Sequence, residues 1–325
     1  SSTLSDQIYS EVTQMVGSEH WLTLKHQLLD NYAVSIQQII NGVLIATISG
    51  LVIIGGIKRI GNVTSYLAPF MAVIYFIAAM LIILANITDI PASFSSIISM
   101  AFNPPAAVGG VAGGTLLVVM NTMLWGVKRG LYSNEAGQGS APIAHSTAKT
   151  EFPTREGVVA LLEPFIDTII ICTLTGLTII VTGTWHHTEF YTTRIDPTFT
   201  GELLNGSLLT SLAFKNGLAW LFPFGDKIIT LGVLLFAIST VISWSFYGDR
   251  ATDYLFGEKA IPVYRSFYIL FVFIGAIASL EAIWAFGDAA LGFMTFPNLI
   301  SIILLSPILK KLTTSYFDIE HQVYK

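Results

Sequence analysis

The eleven residues from Gly130 to Ser140, Gly-Leu-Tyr-Ser-Asn-Glu-Ala-Gly-Gln-Gly-Ser, constrain this chain more than any other stretch. They place three glycines, a carboxylate, two amides and two serine hydroxyls in the middle of a very hydrophobic sequence, directly after Lys128 and Arg129. An ionised side chain at the centre of a bilayer costs about 3 kcal/mol on insertion scales. Each glycine weakens a helix by about 1 kcal/mol relative to alanine. Irregular polar backbone survives at membrane depth only where it faces protein or a water-filled cavity. The run is therefore expected to interrupt a membrane helix and to form a binding site there.

The rest of the sequence supplies that membrane. Charged residues make up 11% and apolar residues 53% of the chain, against about 25% charged in a soluble domain. The mean hydropathy is +0.68. No basic cluster is large enough to track phosphates, so nucleic acid is not expected as a partner; the lipid bilayer is. The single cysteine, Cys172, has no intrachain partner, and the histidines lack ligands at metal-binding spacing. No structural metal and no organic cofactor is expected.

A spanning helix needs about 20 mainly apolar residues. Seven segments meet or approach this: 31–57, 60–88, 111–145, 158–183, 228–248, 264–280 and 283–309. The third holds the polar run and reads as one discontinuous helix. Residues 92–102 are too short to span and read as a surface or re-entrant helix, followed by the breakers Pro104-Pro105 and Gly109-Gly110. Within the long polar loop that follows residue 183, residues 216–224 read as a short helix. The fold class expected is all-α integral membrane. Basic residues set its orientation. Lys58, Arg59, Lys149, Arg155, Arg250, Lys259, Arg265, Lys310 and Lys311 fall in alternate loops and the tail, while the opposite loops are mainly acidic. Seven crossings with the C-terminus in the cytoplasm satisfy that pattern.

Three groups of residues can do chemistry. In the central run, a helix break exposes free N–H and C=O groups that can ligate a carboxylate or Na⁺. Ser133, Asn134 and Ser140 add oxygens suited to a hard cation. Glu135 is expected to pair with Arg129 or Lys128, because an unpaired buried ion is costly. The structural alternative is a kinked helix holding a buried ion pair. In the segment 228–248, Ser239, Thr240 and Ser243 cluster within little more than a turn, and Thr240 shares a face with Trp244. These residues read either as cation and substrate ligands or as hydroxyl glue between helices. In the segment 158–183, Glu163 and Asp167 stand four apart, which fits a proton relay or a cation site, with Asp167 the deeper of the two.

These motifs closely resemble those of the alanine/glycine:cation symporters, the sodium:alanine symporter family. The matching stretches are Gly55-Gly56-Ile-Lys-Arg59, Arg129-Gly-Leu-Tyr-Ser-Asn-Glu-Ala-Gly-Gln-Gly-Ser-Ala-Pro142, Phe165-Ile-Asp-Thr168, Trp244-Ser-Phe-Tyr-Gly-Asp-Arg250 and Phe296-Pro-Asn-Leu299. The resemblance implies a LeuT-type inverted-repeat fold, with residues 1–108 ending the first repeat and residues 109–325 forming the second. It implies that further helices of the first repeat belong with this chain, in cis or in trans. It implies Na⁺-coupled symport of alanine or glycine across the plasma or inner membrane, with Na⁺ as coupling ion. Substrate contacts would fall on Gly126, Gly130, Ser133, Asn134, Thr240 and Trp244. Na⁺ ligands would come from Ser133, Asn134, Ser239, Thr240 and Ser243, and Arg129, Glu135 and Asp167 would serve as ion-pair or structural groups. A proton-coupled transporter and an intramembrane enzyme are the alternatives; the second lacks a nucleophile–base arrangement.

The charge pattern makes a direct prediction in a Cys172→Ala background. Cysteines placed at Thr150 and Lys259 react with impermeant thiol reagents only from the cytoplasmic side, and one at Thr192 only from outside. Labelling of all three from one side would contradict the seven-crossing reading.

Overall fold

A computed structural model describes residues 10–11, 25–29, 32–102 and 115–319. The breakers at 104–105 and 109–110, and most of the N-terminal segment, lie outside those residues. A short antiparallel hairpin comes first, β1 (Lys25–Leu29) against β2 (Tyr32–Ser35). It was not expected from a sequence read as wholly helical. Helices α1 (Ile36–Ile53) and α2 (Gly56–Ala85) follow. A short apolar helix α3 (Ile90–Phe102) takes the place of the expected non-spanning segment.

The central run divides α4 (Thr115–Asn134) from α5 (Ala141–His145). The next span, Pro153–Val181, is irregular. It contains α6 (Pro153–Ala160), α7 (Leu162–Pro164), a π-helical stretch over Phe165–Cys172, and α8 (Thr173–Val181). Pro164 has no N–H to continue an α-helical ladder. The wider turn begins at the next residue and contains Asp167 and Thr168, and such turns recur at functional sites. Two helices lie in the loop beyond, α9 (Glu189–Arg194) and α10 (Gly206–Leu218). The second ends where a helix was expected to begin. The chain closes with α11 (Gly225–Phe256), α12 (Ile261–Ile277) and α13 (Leu280–Phe317), the last with Pro297 and Pro307 inside it.

Among the described residues, six helices are long and apolar enough to cross a membrane: Ile36–Ile53, Arg59–Ala85, Pro153–Val181, Gly225–Phe256, Glu258–Ile277 and Ala282–Phe317. The seventh expected crossing, carried by α4, does not reach that apolarity because Lys128, Arg129 and the polar residues beyond them fall within it. Large apolar side chains stand outward on these helices; Phe293 and Leu304 are 82% and 72% exposed. That surface suits lipid, which imposes no penalty on exposed hydrocarbon.

The chain forms two compact units. One comprises residues 1–119 and 174–283, the other residues 120–173 and 284–325. The core of the first joins α2, α10 and α11 through Ala78, Ala79, Ile82, Phe214, Leu218 and Ile229. Small residues set the spacing, as they do where membrane helices approach closely. A Cβ on Gly225 would sit 2.3 Å from the carbonyl oxygen of Phe214. A second cluster packs α1 on α12 through Ile45, Ala46, Val272 and Ala276. Arg265 grips the buried Asp249 with Nε at 3.1 Å and Nη2 at 2.7 Å, and its Nη1 donates to the Ile54 carbonyl. That guanidinium ties α12 to α11 and to the end of α1, and the pairing keeps Asp249 from being an uncompensated buried charge.

Gly225→Ala is expected to lower thermal stability by about 1–3 kcal/mol, the usual result of forcing a methyl into a closed contact. Gly232→Ala is the control, because its nearest neighbour, Met71 Cγ, is 3.9 Å away. Equal melting temperatures in detergent for the two variants would contradict the packing.

Candidate functional site

The break in the second unit is a set of left-handed residues. The Glu135 N–H still bonds the Leu131 carbonyl at 2.9 Å, but Glu135 itself has φ 53°. Gly137 and Gly139 follow at φ 77° and 95°. A single turn bond, Gln138 N–H to the Glu135 carbonyl, holds this segment before α5 starts. A left-handed conformation costs a residue with a Cβ about 1–2 kcal/mol, so two of the three positions are glycine. At Gly139 there is a second reason, since a Cβ there would lie 3.2 Å from the Asn298 Cβ.

Neighbouring elements fasten the break at three points. Asn134 donates to the Thr168 hydroxyl at 2.8 Å, and its Oδ1 accepts the Ala136 N–H at 3.0 Å. Ser133 donates to Asp167 at 2.7 Å, and Thr168 also donates to Asp167. From α13, Asn298 donates to the Gly137 carbonyl at 3.0 Å. Asn298 directly follows Pro297, which removes one backbone donor from that helix.

What remains is an excess of acceptors. Gln138 and Ser140 are buried, 3% and 0% exposed. The Oε1 of Gln138, the Oγ of Ser140 and the Oε2 of Glu135 are buried atoms with no hydrogen-bond partner among the described residues. Buried polar atoms are nearly always satisfied, and exceptions call for an explanation such as an ion. Ser140 was read from sequence as a possible ligand. Gln138 and Asn298 were not singled out, although each stands inside a motif that carried the family resemblance.

The expected ion pair of Glu135 with Arg129 or Lys128 is not formed. Lys128 pairs with Asp288, which also accepts from the Tyr132 hydroxyl at 2.7 Å. Arg129 lies over the Trp284 ring at 4.0 Å and over Trp125 at 5.0 Å, a cation–π arrangement. The reason is geometric: Glu135 is six and seven residues beyond these bases, past the helix end, and outside the i, i+4 reach of a helical pair. Gly126 and Gly130 lie within α4, where a Cβ would meet nothing within 4 Å.

The hydroxyl group on α11 belongs to the first unit. Ser239 is buried and bonds back to the Phe236 carbonyl at 2.9 Å. Thr240 and Ser243 make no side-chain hydrogen bond among the described residues, and Trp244 lies 5.8 Å from Tyr247, ring to ring. Ser239 thus spends its one O–H on its own helix, but its oxygen lone pairs stay available, as do those of Thr240 and Ser243.

The sequence matches the profile of the sodium:alanine symporter family over residues 11–325. The chain belongs to that family. A sodium/alanine symporter, AgcS, of Methanococcus maripaludis is 40% identical over 284 residues, covering 87% of this chain and 58% of its own length. An uncharacterized transporter of Haemophilus influenzae is 38% identical over 295 residues, covering 91% and 60%. A sodium/proton-dependent alanine carrier of Bacillus sp. strain PS3 is 32% identical over 278 residues, covering 84% and 60%. The chain spans about 60% of the length of these relatives. Their names are those of transporters, and a sodium-coupled symporter family requires no organic cofactor. Membership and the six apolar helices make this symporter-family chain a multi-pass membrane protein.

Gly139→Ala tests the break. It is expected to destabilise the protein by about 1–3 kcal/mol, through the left-handed φ and the Asn298 contact. Gly130→Ala, within regular helix, is expected to be neutral or slightly stabilising. A melting temperature for Gly139→Ala equal to that of the parent would contradict the described turn.

Proposed function

We propose that this chain serves Na⁺-coupled symport of a small neutral amino acid, alanine or glycine, by alternating access in a LeuT-type inverted-repeat fold. One observation carries the reading: a helix break in a membrane protein that leaves Glu135 Oε2, Gln138 Oε1 and Ser140 Oγ buried and without partners among the described residues. Such a cluster of oxygens suits a hard monovalent cation or an ammonium group. Family membership and the names of the relatives support cation-coupled amino-acid transport as the activity.

Roles follow from position. Ser133 and Asn134 are the Na⁺ ligands proposed at the break, together with the peptide carbonyls that the turn opens. Ser239, Thr240 and Ser243 are the hydroxyl ligands proposed on α11; Ser239 donates its O–H to the Phe236 carbonyl and keeps its lone pairs for the ion. Gly126, Gly130, Ser133, Asn134, Thr240 and Trp244 are the proposed substrate contacts, the indole meeting the small apolar side chain. Na⁺ bound at open-helix carbonyls favours the closed, loaded state, and its release on the low-sodium side lets the substrate leave. The plasma or inner membrane, with the C-terminus in the cytoplasm, is the proposed location.

Proton coupling is the second reading. One relative is named for both ions. Asp167 lies in a membrane-spanning helix, accepts from Ser133 and Thr168, and has no basic partner among the described residues.

Uptake by the reconstituted carrier separates these roles. Thr240→Ala is expected to raise both the alanine KM and the sodium concentration for half-maximal uptake. Trp244→Ala is expected to raise the alanine KM more than the sodium requirement. Unchanged values for both ligands in both variants would return α11 to packing alone, and uptake driven by a proton gradient without sodium would favour the second reading.

A further inference from the structure

The short helix α5 leads from the break to a side-chain cluster that the transport reading does not use. His145, its last residue, faces two carboxylates at once. Its Nδ1 lies 2.8 Å from Glu156 Oε1 on α6, and its Nε2 lies 3.3 Å from Glu163 Oε2 on α7. A neutral imidazole has one N–H and one lone pair, so it donates to only one of two ionised acids and meets the other lone pair to lone pair. Both contacts are favourable only when the trio holds one further proton. The imidazolium form supplies it, donating from each ring nitrogen.

The surroundings agree. The His145 and Glu156 side chains are 28% and 25% exposed and Glu163 is half exposed, so the proton exchanges with solvent while the ring stays held. The charges that raise His145, among the described residues, are those of Glu156 and Glu163. On its own element, Ala141 to Ala144 carry no charge. The hydrogen bond to Glu156, opposed by partial burial, holds the imidazole above its ordinary value of 6.5.

We propose that His145, Glu156 and Glu163 form a proton-binding site that clamps α5 to the head of the Pro153–Val181 helix and makes cation binding at the break depend on cytoplasmic pH. The cytoplasmic assignment comes from the loop charges, and the link to the cation rests on the proposed Na⁺ reading of the break. Mechanically, α5 begins two residues after Gly139, and Asn298 holds the break at Gly137. His145 is the fastening at the other end of the same short segment. The sign is fixed. A histidine held above its ordinary value keeps the clamp complete in acid and through the ordinary histidine range, and loses it as pH rises through the raised value. Alkaline cytoplasm releases α5.

The test uses the carrier in proteoliposomes, with a nitroxide label on a cysteine at Thr147 in a Cys172→Ala background. Label mobility is expected to increase between about pH 6 and about pH 9. Glu156→Gln shifts that midpoint downward, and His145→Gln is mobile throughout. Mobility that does not titrate, or a midpoint unmoved by Glu156→Gln, would overturn the proton site. In parallel, the sodium concentration for half-maximal uptake is expected to rise severalfold as cytoplasmic-side pH is raised, and to be high and flat in His145→Gln. Titrating mobility with a pH-independent sodium requirement would overturn the coupling. Titrating mobility in a carrier indifferent to sodium would keep the clamp and overturn the Na⁺ reading on which the coupling rests.

Discussion

Hydrocarbon offers no hydrogen bond to a peptide group, so a helix that stops inside a membrane must end against protein or against a ligand. The stretch from Ser133 to Ser140 is organised by that constraint. Asn134 closes on Thr168 and on the Ala136 N–H, Ser133 on Asp167, and the Gly137 carbonyl on Asn298. Apart from the Ala136 bond, these fastenings come from two irregular elements: the π-helical stretch after Pro164 and the helix containing Pro297. The fastenings satisfy donors and carbonyls around the turn and leave Glu135 Oε2, Gln138 Oε1 and Ser140 Oγ without partners among the described residues. Oxygens of these kinds can ligate a hard cation.

The helix break was legible in the sequence because its chemistry is local. Glycines at positive φ, an amide and two hydroxyls cannot continue an apolar helix, whatever packs around them. The spans were legible for the same reason, although α13 runs on to Phe317 well past its apolar stretch, and α4 falls short of the others in apolarity. What sequence did not reveal depends on partners distant in the chain. Glu135 was assigned to the nearest bases, but Lys128 finds Asp288 and Arg129 finds Trp284, each more than 150 residues away. Asn298 stood in a quoted motif with no evident task until it met Gly137. The helix Gly206–Leu218 was missed because its role, packing Phe214 and Leu218 on α2, needs the fold to be seen.

The same logic orders the hydroxyls of α11. Three of them share one stretch of sequence; Ser239 donates to the Phe236 carbonyl, and Thr240 and Ser243 make no side-chain hydrogen bond among the described residues. The pairing of Asp249 with Arg265 and the close approach of Gly225 to Phe214 fix that helix in its unit.

Equilibrium binding of radioactive Na⁺ to the purified carrier tests the break as a cation site most directly. Saturable binding is predicted for the parent, weakened by about tenfold, or 1.4 kcal/mol, in Ser140→Ala, with the Gly232→Ala variant binding as the parent does. Equal Na⁺ affinity in the parent and in Ser140→Ala would contradict the site.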